Sequence, residues 1–161
     1  MSLPPVLDPA SSARAFWFDK SDPRALFADI RTLEPTPLTN GQTLEVAPDV
    51  LADFRDLPFP DASFYHVIFD PPHLKSLGKD SWTALKYGAL LPTWKDDLRA
   101  GFSECFRVLK PHGTLIFKWN EDQIPVTEVL ALTDQKPLYG HRSGKASKTH
   151  WIAFMKAGDD A

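Results

Sequence analysis

Phe69-Asp70-Pro71-Pro72-His73 is the stretch of this 161-residue chain whose residue types and spacing most directly describe a reaction. It follows Tyr65-His66-Val67-Ile68, an apolar run of the kind that forms a buried strand. An Asp-Pro-Pro step at the end of such a strand can grip a planar amino group. The Asp70 carboxylate accepts one N–H. The carbonyl of the Asp70–Pro71 peptide accepts the other, because a proline ring fixes its own φ and restricts the residue before it. His73, directly after the prolines, can lie against a ring, and an imidazole can also hydrogen-bond or titrate near neutrality.

These residues need a frame. Ala25 to Ile30, Asp49 to Asp53, Phe64 to Phe69, Thr114 to Trp119 and Thr149 to Met155 read as strands, with Thr43 to Ala47 as an edge strand. Residues 32–40, with Pro35 and Pro37, read as a loop. From Trp94 the apolar positions Leu98, Phe102, Cys105, Phe106 and Leu109 recur at helical spacing, with Thr93 as candidate cap. Lys110-Pro111-His112-Gly113 ends that helix, Gly113 supplying a positive φ. Val126 to Leu132 reads as a short helix.

Strands separated by helices and loops predict an α/β sheet with crossovers, whose ligands sit at the carboxyl ends of the strands. Asp29, Asp53, Asp70 and Asn120 each lie at or just past such an end. Residues 1–15, rich in Pro, Ser and Ala, predict a flexible N-terminus. Residues 16–157 form a single domain and 158–161 a flexible tail. Phe16-Trp17-Phe18 reads as core or as a cap over the sheet. Residues 73–92, with Trp82 and Tyr87, form a long loop suited to closing over a substrate.

The formal net charge of −3 excludes a protein that binds nucleic acid by bulk charge. From Gln135 to Met155, however, there are Lys136, His141, Arg142, Lys145, Lys148 and His150, and no acidic residue. A polyanion would meet the chain there. The single cysteine, Cys105, falls on the apolar helix face and reads as a small hydrophobe. The histidines lack metal-ligand spacing, so no metal is expected. The cysteine usage, the absence of a membrane-length apolar run and the absence of a signal-peptide start fit a cytoplasmic protein that meets no membrane.

The span from Val50 to Trp119 resembles the second half of class I methyltransferases that use S-adenosylmethionine (SAM). The residues that carry this are Asp53-Phe54-Arg55-Asp56-Leu57-Pro58-Phe59, Asp70-Pro71-Pro72, and Glu104 through Leu115 with its Arg107-Val108-Leu109-Lys110-Pro111-His112-Gly113 turn. A finer resemblance, over Asp49 to Lys156, is to the MT-A70-like branch of adenine N6-methyltransferases and related phage-type enzymes. It rests on Asp53-Phe54-Arg55 ahead of the Asp-Pro-Pro step, on Tyr87-Gly88, and on Gly140-His141-Arg142-Ser143-Gly144 followed by Lys148 and His150. The sequence departs from the pattern twice. No glycine-rich cofactor loop follows any strand, and His73 replaces the usual aromatic.

The resemblance implies a compact Rossmann-like class I methyltransferase sheet with flanking helices and SAM as cofactor. It implies direct in-line transfer to an exocyclic amine, N6 of adenine in DNA or, less directly, RNA. Asp70, Pro71, Pro72 and His73 would be catalytic. Asp53, Phe54, Asp29, Lys148 and His150 would hold the cofactor, and Trp82, Tyr87 and Lys145 the substrate. A homodimer or a specificity partner would supply substrate surface that so short a chain lacks. The other implied activities are methylation of an amine outside nucleic acid, and SAM binding or degradation by a phage-type anti-restriction protein.

Overall fold

Strand alternation organises the molecule, because successive side chains along a strand point to opposite faces of a sheet. The computed structural model describes residues 2–75, 88–142, 144 and 146–159. Seven strands form one sheet in the order β5-β2-β1-β6-β7-β9-β8. They are β1 (Val6–Asp8), β2 (Ala25–Asp29), β5 (Val50–Leu51), β6 (Phe64–Phe69), β7 (Leu109–Asn120), β8 (Tyr139–Arg142) and β9 (Thr149–Met155). The first five are mutually parallel; β9 runs antiparallel to β7 and β8 antiparallel to β9. The chain travels outward from β1 through β2 to β5, then returns to place β6 on the other side of β1. The strand order therefore reverses between β1 and β6, which is where open α/β sheets bind ligands.

Residues 1–15 do not form the flexible N-terminus that their composition suggests. Val6–Asp8 is a central strand, paired with β2 on one side and β6 on the other, and Leu7 and Asp8 are fully buried. Residues 32–40 are not simply a loop. Leu33–Pro37 forms β3, which pairs with β4 (Thr43–Val46) in a separate two-stranded hairpin. Prolines are tolerated there because the hairpin's outer edge needs no amide donors.

One face of the sheet packs on helix α1 (Trp94–Val108), which buries Leu98, Phe102, Cys105 and Phe106 against Leu7, Val67, Phe69, Leu115 and Phe117. Asp96 and Asp97 lie in its first turn and Arg107 in its last, matching the helix dipole. Thr93 makes no side-chain cap; its hydroxyl instead donates to Asp97 at 2.8 Å. Gly101 faces Phe69 and Phe54 so closely that a Cβ would lie 2.7 and 2.8 Å from their rings. Within the first part of β7, the left-handed residue is His112, with φ 64°. Gly113 serves a different need, since a Cβ there would lie 2.8 Å from the Lys110 carbonyl. A short helix, α2 (Val126–Leu130), follows β7.

The opposite face carries His66, Ile68, Thr114, Ile116, Lys118 and Trp151, all half-buried. The β1–β2 connection lies over part of it: Trp17 packs edge-on against Phe27 at 4.8 Å and Phe16 edge-on against Trp151 at 5.6 Å. Phe18 points into solvent. Among the described residues, no helix is long and apolar enough to cross a membrane.

Candidate active site

Two strands end in the same way. β1 closes with Leu7-Asp8-Pro9 and β6 with Phe69-Asp70-Pro71, on the two sides of the point where the strand order reverses. A cleft enclosing about 950 Å3, counting its open mouth, lies across these strand ends. Its wall takes Pro9, Ala10 and Ser12 from just past β1, Asp29 to Arg31 from the end of β2, Ala52 to Arg55 from just past β5 and Asp70 to Pro72 from just past β6. Gly88 to Leu91 and Asp97 complete it. The cleft thus gathers Asp29, Asp53, Phe54, Asp70, Pro71 and Pro72, all of them named by the sequence.

The turn after β1 holds this arrangement without a glycine. Ser12 and Arg14 adopt left-handed φ of 47° and 56°, a conformation uncommon for residues with a side chain. The Ser12 amide then donates to Asp29 Oδ2 at 2.8 Å, and the Arg31 amide to Asp29 Oδ1 at 3.2 Å. Asp29 is thereby fixed at the cleft wall. Asp53 is held differently. Arg55 grips both of its oxygens, at 2.6 to 3.0 Å, and reaches Asp97 at 3.2 Å, which ties the β5 end to the start of α1. The Arg55 hydrogen bonds hold the Asp53 carboxyl below the usual carboxylate range. Phe54 lines the cleft while its ring packs edge-on against Phe69 at 5.2 Å.

Asp70 is the least ordinary group. Its side chain is only 13% exposed, and burial pushes its carboxyl up to about 6, with the Lys118 ammonium pulling it back down. Lys118 Nζ lies 3.6 Å from Asp70 Oδ2. This pairing follows from register: Phe69 and Phe117 are partners on the α1 face, so the next residues, Asp70 and Lys118, meet on the other. Trp151, the β9 partner of Lys118, extends the row.

Asp8 escapes the sequence reading. It is fully buried, accepts a 2.8 Å hydrogen bond from the Trp17 indole, and has one oxygen, Oδ1, without a partner among the described residues. Burial pushes its carboxyl up to about 7, and the nearby charge of Asp70 adds to the rise. The Ser11 hydroxyl, three residues on, is likewise buried without a partner. The signal that could have found this region is the repeated Asp-Pro step itself.

Other named residues lie elsewhere. Lys148 is outside the cleft and pairs with Asp122 at 2.9 Å; His150 Nε2 lies 2.9 Å from Glu121, which Arg142 also approaches at 3.3 Å. The β7–β9 antiparallel pairing carries this cluster to the far side of β7, away from β2 and β5. Lys148 lines a shallow groove there with His73 and Asn120. His73 stands 6.1 Å from Trp119 at an interplanar angle of 76°; burial, then the Lys118 charge, hold its imidazole below the usual range. Asn120 is a turn former, accepting from the Asp122 amide at 2.9 Å. Burial pushes the Cys105 thiol up, which suits a packing residue. Trp82, Tyr87 and Lys145 lie outside the described residues.

No protein-family model matches the chain, and no curated protein sequence matches it. Solved structures do. A protein from Pyrococcus horikoshii superposes with a TM-score of 0.60 at 17% identity, over 94% of this chain and 81% of that one. A SAM-dependent methyltransferase from Methanosarcina mazei also gives 0.60, at 12% identity, over 96% of this chain and 92% of its own. This chain has the class I methyltransferase fold. The 1,6-didemethyltoxoflavin-N1-methyltransferase of Burkholderia thailandensis, solved with its substrate and S-adenosylhomocysteine bound, gives 0.54 at 14% identity, over 96% of this chain and 72% of its own. The adenine-directed branch is a finer resemblance that these neighbours do not carry.

Proposed function

We propose that this protein is a SAM-dependent methyltransferase acting on an exocyclic amine, with N6 of adenine in DNA or RNA as the acceptor that the Asp-Pro-Pro step suits. The observation that carries this reading is Asp70. It stands where the strand order reverses, on the wall of a cleft it shares with Asp29, and keeps a narrow opening to solvent.

The cleft suits SAM by its chemistry. Asp29 would accept from ribose hydroxyls, and Ile30 and Phe54 would cover the adenine. Bound SAM would supply a sulfonium methyl, its S–C bond breaking as the nitrogen lone pair forms the new N–C bond. The lone pair of an aromatic amine is delocalised into its ring. By accepting the two N–H groups, Asp70 and the carbonyl before Pro71 draw the nitrogen toward a tetrahedral shape and free that lone pair. The surplus proton passes to Asp70 or to water. Most of the acceleration comes from position and from dipoles already in place. His73 borders the acceptor, and from the sequence alone we place Trp82, Tyr87 and Lys145 on the same side.

A second reading, methylation of an amine outside nucleic acid, draws on the ion pairs beyond Asp70. Arg142 and Lys148 face Glu121 and Asp122 rather than standing as a bare cationic track for phosphates. Tritiated SAM offered with DNA, RNA and small-molecule amine pools separates the two. Label in nucleic acid supports adenine, and label only in small molecules supports the second reading. If no pool is labelled while SAM binds, transfer itself is refuted. Asp70→Ala abolishes labelling and largely spares SAM affinity; normal labelling by that variant would refute the amine grip.

A further inference from the structure

Lys118 is a charged residue inside an otherwise apolar strand run, Leu115-Ile116-Phe117-Lys118-Trp119. Its ammonium sits 5.3 Å from the Phe16 ring centre and 5.4 Å from that of Trp151, and 3.6 Å from Asp70 Oδ2. Aromatic faces around a cation, with a carboxylate beside it, form a cation-recognition site. Here the chain's own lysine fills that site. Oδ2 is the oxygen of Asp70 that Lys118 approaches, at 3.6 Å.

We propose that Lys118 is a positioning residue that sets the acceptor class: it occupies the cation position beside Asp70, so that the site takes an uncharged amine at Oδ1 and rejects an alkylammonium. This rests on the reading of Asp70 as the amine acceptor. Two physical consequences follow. An incoming alkylammonium meets a like charge in a partly buried site, a repulsive element that selects against it. A neutral amine meets a carboxylate already fixed at one oxygen and ionised.

The second consequence concerns the balance of charge around Asp70. Burial works against ionisation, and Asp8 on β1 adds to that resistance whenever it is charged. His73, in the segment after β6, is held toward its neutral form and offers little compensation. Asp29 on β2 is a further carboxylate of the same cluster, felt by Asp8. On β7, Lys118 is the cation that favours the ionised form of Asp70. Removing it should leave Asp70 protonated at a pH where the wild-type protein works, and a neutral carboxyl accepts an N–H much more weakly than a carboxylate.

The test is a titration that does not depend on turnover. Aspartate carboxyls labelled with carbon-13 are followed by NMR from pH 4.5 to 9, with Asp70 assigned from Asp70→Asn. In Lys118→Met, the Asp70 midpoint rises by about one pH unit or more relative to wild type. Lys118→Arg restores it, and Lys118→Gln gives the same comparison if the Met variant does not fold. The acid limb of kcat for a neutral amine acceptor moves up in parallel while SAM affinity is unchanged. An unmoved Asp70 midpoint overturns the proposal, as does wild-type transfer to alkylammonium and neutral amines at equal rates. Transfer surviving in Asp70→Asn would instead refute the reading of Asp70, whatever the titration shows.

Discussion

The two faces of the central sheet differ by one residue of register and by nearly everything else. On the α1 face, Phe69, Phe102 and Phe117 meet with ring centres 5.0 to 6.0 Å apart, and Leu7, Val67 and Leu115 are fully buried around them. On the other face, the positions one step along are Asp8, Asp70 and Lys118, covered by Phe16 and Trp17 from a connection that contains no helix. The apolar face is built to be stable. The polar face places carboxylates under partial burial, where ionisation is resisted and each group needs a partner. The contrast shows how one set of strands supplies both a scaffold and a reactive edge: the alternation that drives Phe69 into the core leaves Asp70 at the site.

Breaking the apolar face should have the largest effect on folding. Phe102→Ala removes a fully buried ring and lowers stability by about 3–5 kcal/mol, or roughly 10 °C in Tm, as read by thermal unfolding. The polar face should respond the other way and depend on pH. Asp8 titrates near 7 in the folded protein against 3.8 for an ordinary aspartate, so the folded state holds the extra proton between those values. Its contribution to stability is complete below about pH 4 and is lost as pH rises through 7. Wild type should therefore lose up to about 4 kcal/mol relative to Asp8→Asn between pH 4 and 8, measured by chemical denaturation at each pH. A pH-independent difference would remove Asp8 from the polar cluster.

Smaller effects sharpen the boundary between the faces. Gly101→Ala places a methyl against Phe54 and Phe69, costs about 1–3 kcal/mol, and weakens SAM binding through the displaced Phe54, as titration calorimetry would record. Ser12→Gly relieves a left-handed φ in the β1 turn and raises stability by about 0.5–1 kcal/mol, again by thermal unfolding. A loss there would mean that the Ser12 side chain holds the turn.

Much of this frame was legible in the sequence. Phe64 to Phe69 and Thr149 to Met155 alternate or run apolar over six and seven residues, and both appear as strands with those bounds. The α1 helix announces itself through Leu98, Phe102, Cys105 and Phe106. Val6–Asp8 did not, because three residues among Pro, Ser and Ala carry no period; the strand exists through its neighbours β2 and β6 on both sides. The site was legible where chemistry is local, as in Asp70-Pro71-Pro72. It was hidden where chemistry depends on register. Nothing in the separation of 48 positions between Asp70 and Lys118 says that their side chains meet, and only the Phe69–Phe117 pairing does. Lys148 and His150 stand outside the cleft for the same reason: they lie around the start of β9, which runs antiparallel on the far side of β7 from β2 and β5.

The central claim is that Asp70, on the polar face, takes the protons of an acceptor amine while SAM lies in the cleft. Single-turnover methyl transfer by wild type and Asp70→Asn, at SAM concentrations that calorimetry shows to saturate both, tests it most directly. The account predicts equal SAM occupancy, a loss of transfer of about 100-fold or more in the variant, and a wild-type rate that falls as pH drops through about 6. Equal transfer rates at equal occupancy would contradict it.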